Sequence, residues 1–122
     1  MIMNLSIKVT AALVLCGFAT PSPAGPFEDG LDAARRADYA AVLRLWTPLA
    51  EQGDARAQTN LGLLYSGGRG VSQDYVSAYM WFDLAAAGGN EEAEKSRDKM
   101  ARRMTSGQIA KAQKLADEWK RK

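Results

Sequence analysis

A glycine-rich stretch, Gly-Gly-Arg-Gly at residues 67–70, is a candidate phosphate-binding loop, because the backbone of such loops can surround a phosphate group. A dinucleotide-binding fingerprint would need another glycine three residues after Gly70, where Gln73 stands. A Walker loop would need Gly-Lys-Ser/Thr, but Val71 follows the last glycine. We therefore interpret the stretch as a turn between two helices, where glycine adopts positive φ angles at little cost.

Acid–base and metal chemistry have little support in the composition. The chain has no histidine, and its single cysteine, Cys16, lies in an apolar run near the start. These absences exclude zinc sites of the usual His/Cys type and any nucleophile–histidine pair. Nothing in the pattern sets two carboxylates across a cleft, so we interpret the acidic side chains as helix caps and exposed faces. The candidates are Asp74, Asp83, Glu91, Glu92 and Glu94. We expect no catalytic residue, no cofactor and no metal.

A basic stripe on the predicted fifth helix is the feature of the sequence that most suggests a binding function. Lys95, Lys99 and Arg102 are spaced at i, i+4 and i+7, so on a helix they share one stripe. Such a stripe could hold an acidic peptide or the C-terminus of another chain. More often, however, such a stripe is an ordinary solvent-exposed helix face. Nucleic acid is not an expected partner, because the net charge of the chain is only +2.

The elements that must position these residues are all helices. Asp38 and Asp74 precede stretches of helical periodicity, and the segment from Thr105 to Gln108 has the form of a capping box. No segment alternates with the two-residue period of a half-buried strand. The predicted fold is all-α, a short α-solenoid of antiparallel helix pairs. The predicted pairs are 27–37 with 38–52, 55–66 with 74–88, and 90–104 with 106–120.

The first 24 residues have the pattern of a secretory signal peptide. Lys8 precedes the apolar residues 9–19, and Ser22 and Ala24 supply the small residues of a cleavage site. The run is shorter than the ~20 apolar residues that a membrane-spanning helix needs. We therefore expect cleavage after Ala24 and a periplasmic or secreted location. The remaining domain, residues 25–122, is expected to have no integral membrane segment.

An internal repeat organises this domain. A shift of 36 residues aligns the segment 38–57 with the segment 74–93 without a gap, and Asp38/Asp74 and Tyr39/Tyr75 are among the identical pairs. A fixed offset of this size is typical of helical repeats, in which each unit is one helix pair.

The segment 55–90 resembles the repeat of the Sel-one-like repeat (SLR) family, which is related to the tetratricopeptide repeats. The matching residues are Leu61, Gly62, Tyr65, Gly68, Gly70, Val71, Asp74, Tyr75, Ala78, Trp81, Ala85 and Ala86. The segment 38–57 resembles the second helix of a preceding, partial repeat whose first helix has decayed. The segment 91–122 would be a C-terminal capping helix pair.

The resemblance also implies a binding face. In such repeats the first helix of each pair lines a concave surface, and the alignment places eight residues of this chain on it: Glu92 and the seven that we predict to bind a partner. The predicted partner-binding residues are Arg56, Thr59, Leu63, Ser66, Lys95, Lys99 and Arg102. The implied function is a non-enzymatic scaffold that binds a protein or peptide partner, for which the basic stripe favours an acidic character.

Two other functions remain open. The chain could be a small structural subunit of an envelope assembly, with Ile109 and Trp119 buried against another chain. It could also be an enzyme acting on cell wall or β-lactams, since a few exported members of the SLR family are linked to such activity. Those members are cysteine-rich, with a disulfide across each repeat, and this chain lacks that feature.

Overall fold

The computed structural model describes residues 24–122, so the predicted signal peptide lies outside the described residues except for Ala24. This part of the chain consists of six helices without any strand, which confirms the predicted all-α fold. The helices are α1 (Pro26–Arg35), α2 (Tyr39–Glu51), α3 (Ala55–Gly67), α4 (Tyr75–Ala87), α5 (Glu91–Ala101) and α6 (Ser106–Lys120). None of them has the length and apolar character that crossing a membrane requires.

Side-chain caps fix where several helices begin. Asp38 accepts a hydrogen bond from the first turn of α2, and Asp74 accepts one from the backbone N–H of Ser77 in α4 at 3.1 Å. At the start of α6, Thr105 Oγ1 accepts from the N–H of Gln108 at 3.1 Å, and Gln108 Oε1 accepts from the N–H of Thr105 at 2.9 Å. These bonds satisfy amides that a helix start would otherwise leave without a partner.

The helices pack in chain order, and α4 is the central one. Each of α1 to α5 packs on its neighbours along the chain, whereas α6 packs back onto α4. Two hydrophobic clusters result. The first centres on Val42, Trp46 and Leu61 where α1, α2 and α3 meet, and the second centres on Phe82 and Met100 where α4, α5 and α6 meet.

Two glycines allow the paired helices to approach closely. A Cβ on Gly62 of α3 would overlap the ring of Phe82 in α4, and a Cβ on Gly30 of α1 would overlap the indole of Trp46 in α2. The indole N–H of Trp46 also donates to the carbonyl oxygen of Phe27 at 3.1 Å, and the two rings stack with centroids 5.4 Å apart. The pair α1/α2 therefore repeats the glycine–aromatic contact of the pair α3/α4.

The glycine-rich segment is a turn between α3 and α4. Gly68 and Gly70 have φ angles of 65° and 74°, in the left-handed region that glycine adopts without strain. The N–H of Arg69 donates to the carbonyl oxygen of Leu64 at 3.0 Å, which closes the end of α3. Val71 then packs against the first hydrophobic cluster. The glycines thus reverse the chain direction between two packed helices.

Candidate functional site

The helices α1, α3 and α5 share a face with two neighbouring depressions, which we call the odd-helix face. The α1/α3 depression has a volume of about 400 Å³, and the α3/α5 depression has a volume of about 210 Å³. The α1/α3 depression is lined mainly by Leu31, Ala34, Trp46, Asn60, Leu64 and Arg69. The α3/α5 depression is lined by Ser66, Phe82, Ser96, Lys99, Met100 and Arg103. Leu63 lines both depressions and separates them.

Leu63 is unusual for its exposure. Its side chain is 45% exposed, and no other large hydrophobic side chain within residues 24–122 is as accessible. A single exposed leucine is common on protein surfaces. Leu63, however, lies between two depressions that both contain apolar side chains. A bound segment could therefore cover Leu63 and fill both depressions.

The charged residues that line the two depressions are all basic. Arg69 lines the α1/α3 depression, Lys99 and Arg103 line the α3/α5 depression, and neither depression is lined by a carboxylate. None of these three cations forms an ion pair with another residue of the described range. Because unpaired cations beside an apolar hollow favour anionic groups, the linings of the two depressions suit an anionic group better than a cationic one.

The seven predicted partner-binding residues fall into three groups. Leu63, Ser66 and Lys99 come together around the α3/α5 depression. Lys95 and Arg102 are exposed but do not line it; α5 ends at Ala101, and Arg103, which follows, lines the depression. Arg103 was not predicted, because the i, i+4, i+7 spacing of a regular helix points to Arg102 instead.

The other two predicted residues are occupied within the chain. Thr59 is only 4% exposed, and its hydroxyl donates to the carbonyl oxygen of Ala55 at 2.8 Å, so it does not lie on the odd-helix face. Arg56 pairs with Asp54 at 2.9 Å, and its guanidinium carbon stands 4.2 Å from the centroid of the Phe27 ring. The hydrogen bond from Arg56 holds the pKa of the Asp54 carboxyl below its ordinary value, against the opposing effect of burial. Arg56 is therefore held at the start of α3 by contacts within the chain.

The candidate carboxylates also serve structural roles. Asp74 caps α4, and Glu91, Glu92 and Glu94 occupy the first turn of α5, where the helix dipole favours negative charge. Asp83 accepts a hydrogen bond from Arg97 at 3.0 Å, and Lys120 approaches its other oxygen at 3.8 Å. Within residues 24–122, no three His, Cys, Asp or Glu side chains are grouped in a way that could hold a metal ion.

Arg97 ties three helices together from the side of α5. It bonds to Asp83 of α4 and to Asp98 of its own helix, and Asp83 is shared with Lys120 of α6. Burial lowers the pKa of Arg97, but the bonds to Asp83 and Asp98 raise it more, so the guanidinium stays charged. This cluster joins helices and does not open into either depression.

The two apolar residues that could have faced another chain pack inside this one. The ring of Trp119 meets the ring of Trp81 edge-to-face with centroids 5.4 Å apart, which docks α6 on α4. Ile109 packs against the second hydrophobic cluster. Both side chains are thus partly buried within this chain.

Comparison with known proteins finds a similarity over the predicted full repeat. The model of the Sel1 repeat family, the SLR family of the sequence analysis, matches residues 55–90. The chain is also similar to the human protein named sel-1 homolog 2, with 38% identity over 50 residues. That alignment covers 41% of this chain but only 7% of the human protein. Sel1 repeats generally mediate protein–protein interaction.

Proposed function

We propose that this chain, a Sel1-repeat protein, is a non-enzymatic module that binds a protein or peptide partner on its odd-helix face. The observation that carries the proposal is Leu63, an exposed leucine between two depressions that hold unpaired cations and no carboxylate. This face is formed by the first helices of the helix pairs, and the SLR resemblance implies that these helices line the concave, partner-binding surface. The partner segment would be acidic.

The arrangement of the side chains favours a binding module over an enzyme. The candidate carboxylates are engaged as caps, in the first turn of α5 or in the ion pair with Arg97, and the chain contains no histidine. The role of a structural subunit receives no support from Ile109 and Trp119, because both pack within this chain. Binding therefore remains the function with the clearest structural basis.

The module would act after export, on the pattern of its first 24 residues. Cell fractionation followed by N-terminal sequencing tests this part of the proposal. We expect the protein in the periplasmic or secreted fraction, with Gly25 as its first residue. Recovery in the cytoplasm with an intact start would contradict export and would leave the binding proposal to be judged separately.

Site-specific photo-crosslinking in cells tests the binding face. A benzophenone amino acid replaces Leu63 in one version of the full chain and Lys114, an exposed residue of α6, in a control version. We expect discrete adducts with another protein from position 63 and few from position 114. Equal adduct patterns from both positions, or adducts from position 114 alone, would contradict the assignment of the odd-helix face.

A further inference from the structure

We infer that the α3/α5 depression receives one apolar side chain of the partner, while carboxylates on either side of that residue pair with Lys99 and Arg103. This inference rests on the proposed function and specifies its ligand: an extended segment in which an apolar residue is flanked by Asp or Glu. The α1/α3 depression would hold a neighbouring part of the same segment across Leu63.

The size and floor of the α3/α5 depression suit a single side chain. Phe82 and Met100 form its apolar base, at 1% and 8% exposure, and Leu63 forms one wall. Its volume of about 210 Å³ is smaller than the ~300–1,000 Å³ of sites that enclose a drug-sized ligand. The flexible side chain of Met100 would let the base adapt to leucine, methionine or phenylalanine.

The charges at the edge specify what must flank that side chain. Lys99 and Arg103 are the charged residues of the lining, and within residues 24–122 no carboxylate pairs with either. Asp98, the nearest acidic residue along α5, is held by Arg97 at 3.2 Å, and the glutamates of α5 lie at the opposite end of the helix. The two cations are thus left free for an external anion.

Helix stability gives a second reason for cations at this position, since positive charges favour the C-terminal end of a helix. That effect does not depend on which face of the helix carries the charge. Lys95 and Arg102 provide a control that is matched in net charge: reversing both changes the charge as much as reversing Lys99 and Arg103, but neither lines the depression. Of these two residues, Arg102 also lies at the C-terminal end of α5, as Lys99 and Arg103 do.

The first experiment is a selection from a random peptide library displayed on phage, with the purified full chain as bait. We expect enrichment of peptides in which a leucine, methionine or phenylalanine is flanked by Asp or Glu. The most enriched peptide is then synthesised, and its Kd is measured by fluorescence polarisation. Enrichment of basic or wholly apolar peptides, or no enrichment, would overturn the inference.

Three variants separate the parts of the site. We expect Lys99→Glu/Arg103→Glu to weaken peptide binding at least about tenfold, and Lys95→Glu/Arg102→Glu to change it less than about threefold. Ser66→Phe should fill the depression and weaken binding to a similar extent as the first pair. Should that variant unfold by circular dichroism, Ser96→Met is used to fill the depression from α5 instead. Equal effects of the two charge reversals, or full affinity in the filled variant, would overturn the inference.

Failure of this ligand assignment can be told apart from failure of the proposed binding function. Crosslinking from position 63 that survives the Lys99→Glu/Arg103→Glu exchange would keep the binding module and reject this ligand assignment. If crosslinking is lost in the Lys99→Glu/Arg103→Glu version and is unaffected in the Lys95→Glu/Arg102→Glu version, both the binding function and the ligand assignment would be supported.

Discussion

Gly62 of α3 lies against the ring of Phe82 in α4 with no room for a side chain between them. This contact sets how closely the two helices of the repeat approach. It also joins the two hydrophobic clusters, because Gly62 adjoins Leu61 of the first cluster and Phe82 belongs to the second. A change at this contact therefore acts on the packing of the whole domain.

Replacing Gly62 by alanine should destabilise the fold by about 1–3 kcal/mol, because the added Cβ forces Phe82 or the helix backbone to move. Urea unfolding followed by circular dichroism measures the change. Gly107→Ala in α6 is the control, since the nearest atom to its new Cβ is Thr105 Oγ1 at 3.9 Å. There we expect a gain of up to about 1 kcal/mol from helix propensity. The packing argument is wrong if both alanines stabilise the protein equally.

Trp81→Ala should lower the free energy of unfolding by about 3–5 kcal/mol, because a large side chain at 7% exposure leaves a cavity when it is removed. The change also removes the edge-to-face contact that docks Trp119. Thermal unfolding by circular dichroism measures it. Arg44→Ala, on the exposed side of α2, should shift the stability by no more than about 0.5 kcal/mol. A loss below about 1 kcal/mol for Trp81→Ala would contradict its place in the core.

The ion pair between Asp83 and Arg97 should show a coupling of about 1–2 kcal/mol in a double-mutant cycle with alanine at both positions. Its side chains are only 19% and 25% exposed, so solvent screens the pair less than an ordinary surface pair. Chemical denaturation of the four proteins gives the coupling energy. The pair Asp32/Arg35, at 3.6 Å and more than half exposed, should give less than about 0.5 kcal/mol. Equal coupling in the two cycles would refute the role of burial.

Stability should fall as the pH drops below the ordinary carboxyl pKa of 3.8, because the folded state lowers the pKa of both Asp54 and Asp74. For Asp54 the bond from Arg56 lowers the pKa most; for Asp74 burial raises it, but bonds from Ser77 and the backbone outweigh burial. A lowered pKa contributes stability that is complete above the unfolded value and lost as the pH falls through the folded value.

The variant Asp74→Asn isolates part of this acid dependence. Asparagine keeps an oxygen that can cap α4 but does not titrate, so we expect nearly unchanged stability at pH 7 and a shallower loss towards pH 3. Urea midpoints at the two pH values provide the comparison. If this variant loses as much stability between pH 7 and pH 3 as the unchanged protein, other groups are responsible for the pH dependence.

Features that depend on near neighbours in the chain could be predicted from the sequence. Asp38, Asp74 and Thr105 cap the helices that their positions indicated, because a capping bond involves residues only two or three positions apart. The turn at Gly68 and Gly70 followed from the same local reasoning, since left-handed φ angles strongly favour glycine.

Features that depend on distant contacts or on loop length could not be predicted from the sequence. The shift of 36 residues does not bring α1 into register, because the α1–α2 connection, residues 36–38, is shorter than the α3–α4 connection, residues 68–74. Gly30 of α1, which corresponds to Gly62 of α3, was therefore not recognised. The first helix of the partial repeat has not decayed, because α1 folds as a helix against Trp46. The burial of Thr59 likewise arises from the packing of other helices around α3, which helical spacing alone does not reveal.

The limited burial of α5 has a consequence for how its depression behaves. Only Ala93 and Met100 are buried in this helix, whereas six residues are buried in each of α3 and α4, and α5 packs mainly on α4. Regions with few buried contacts open at a lower free energy than the whole fold. Amide hydrogens of α5 should therefore exchange with solvent sooner than those of α3 and α4. The α5 wall of the α3/α5 depression should therefore yield more readily than the α3 wall, and the proposed site should accept side chains of different size without unfolding of the domain.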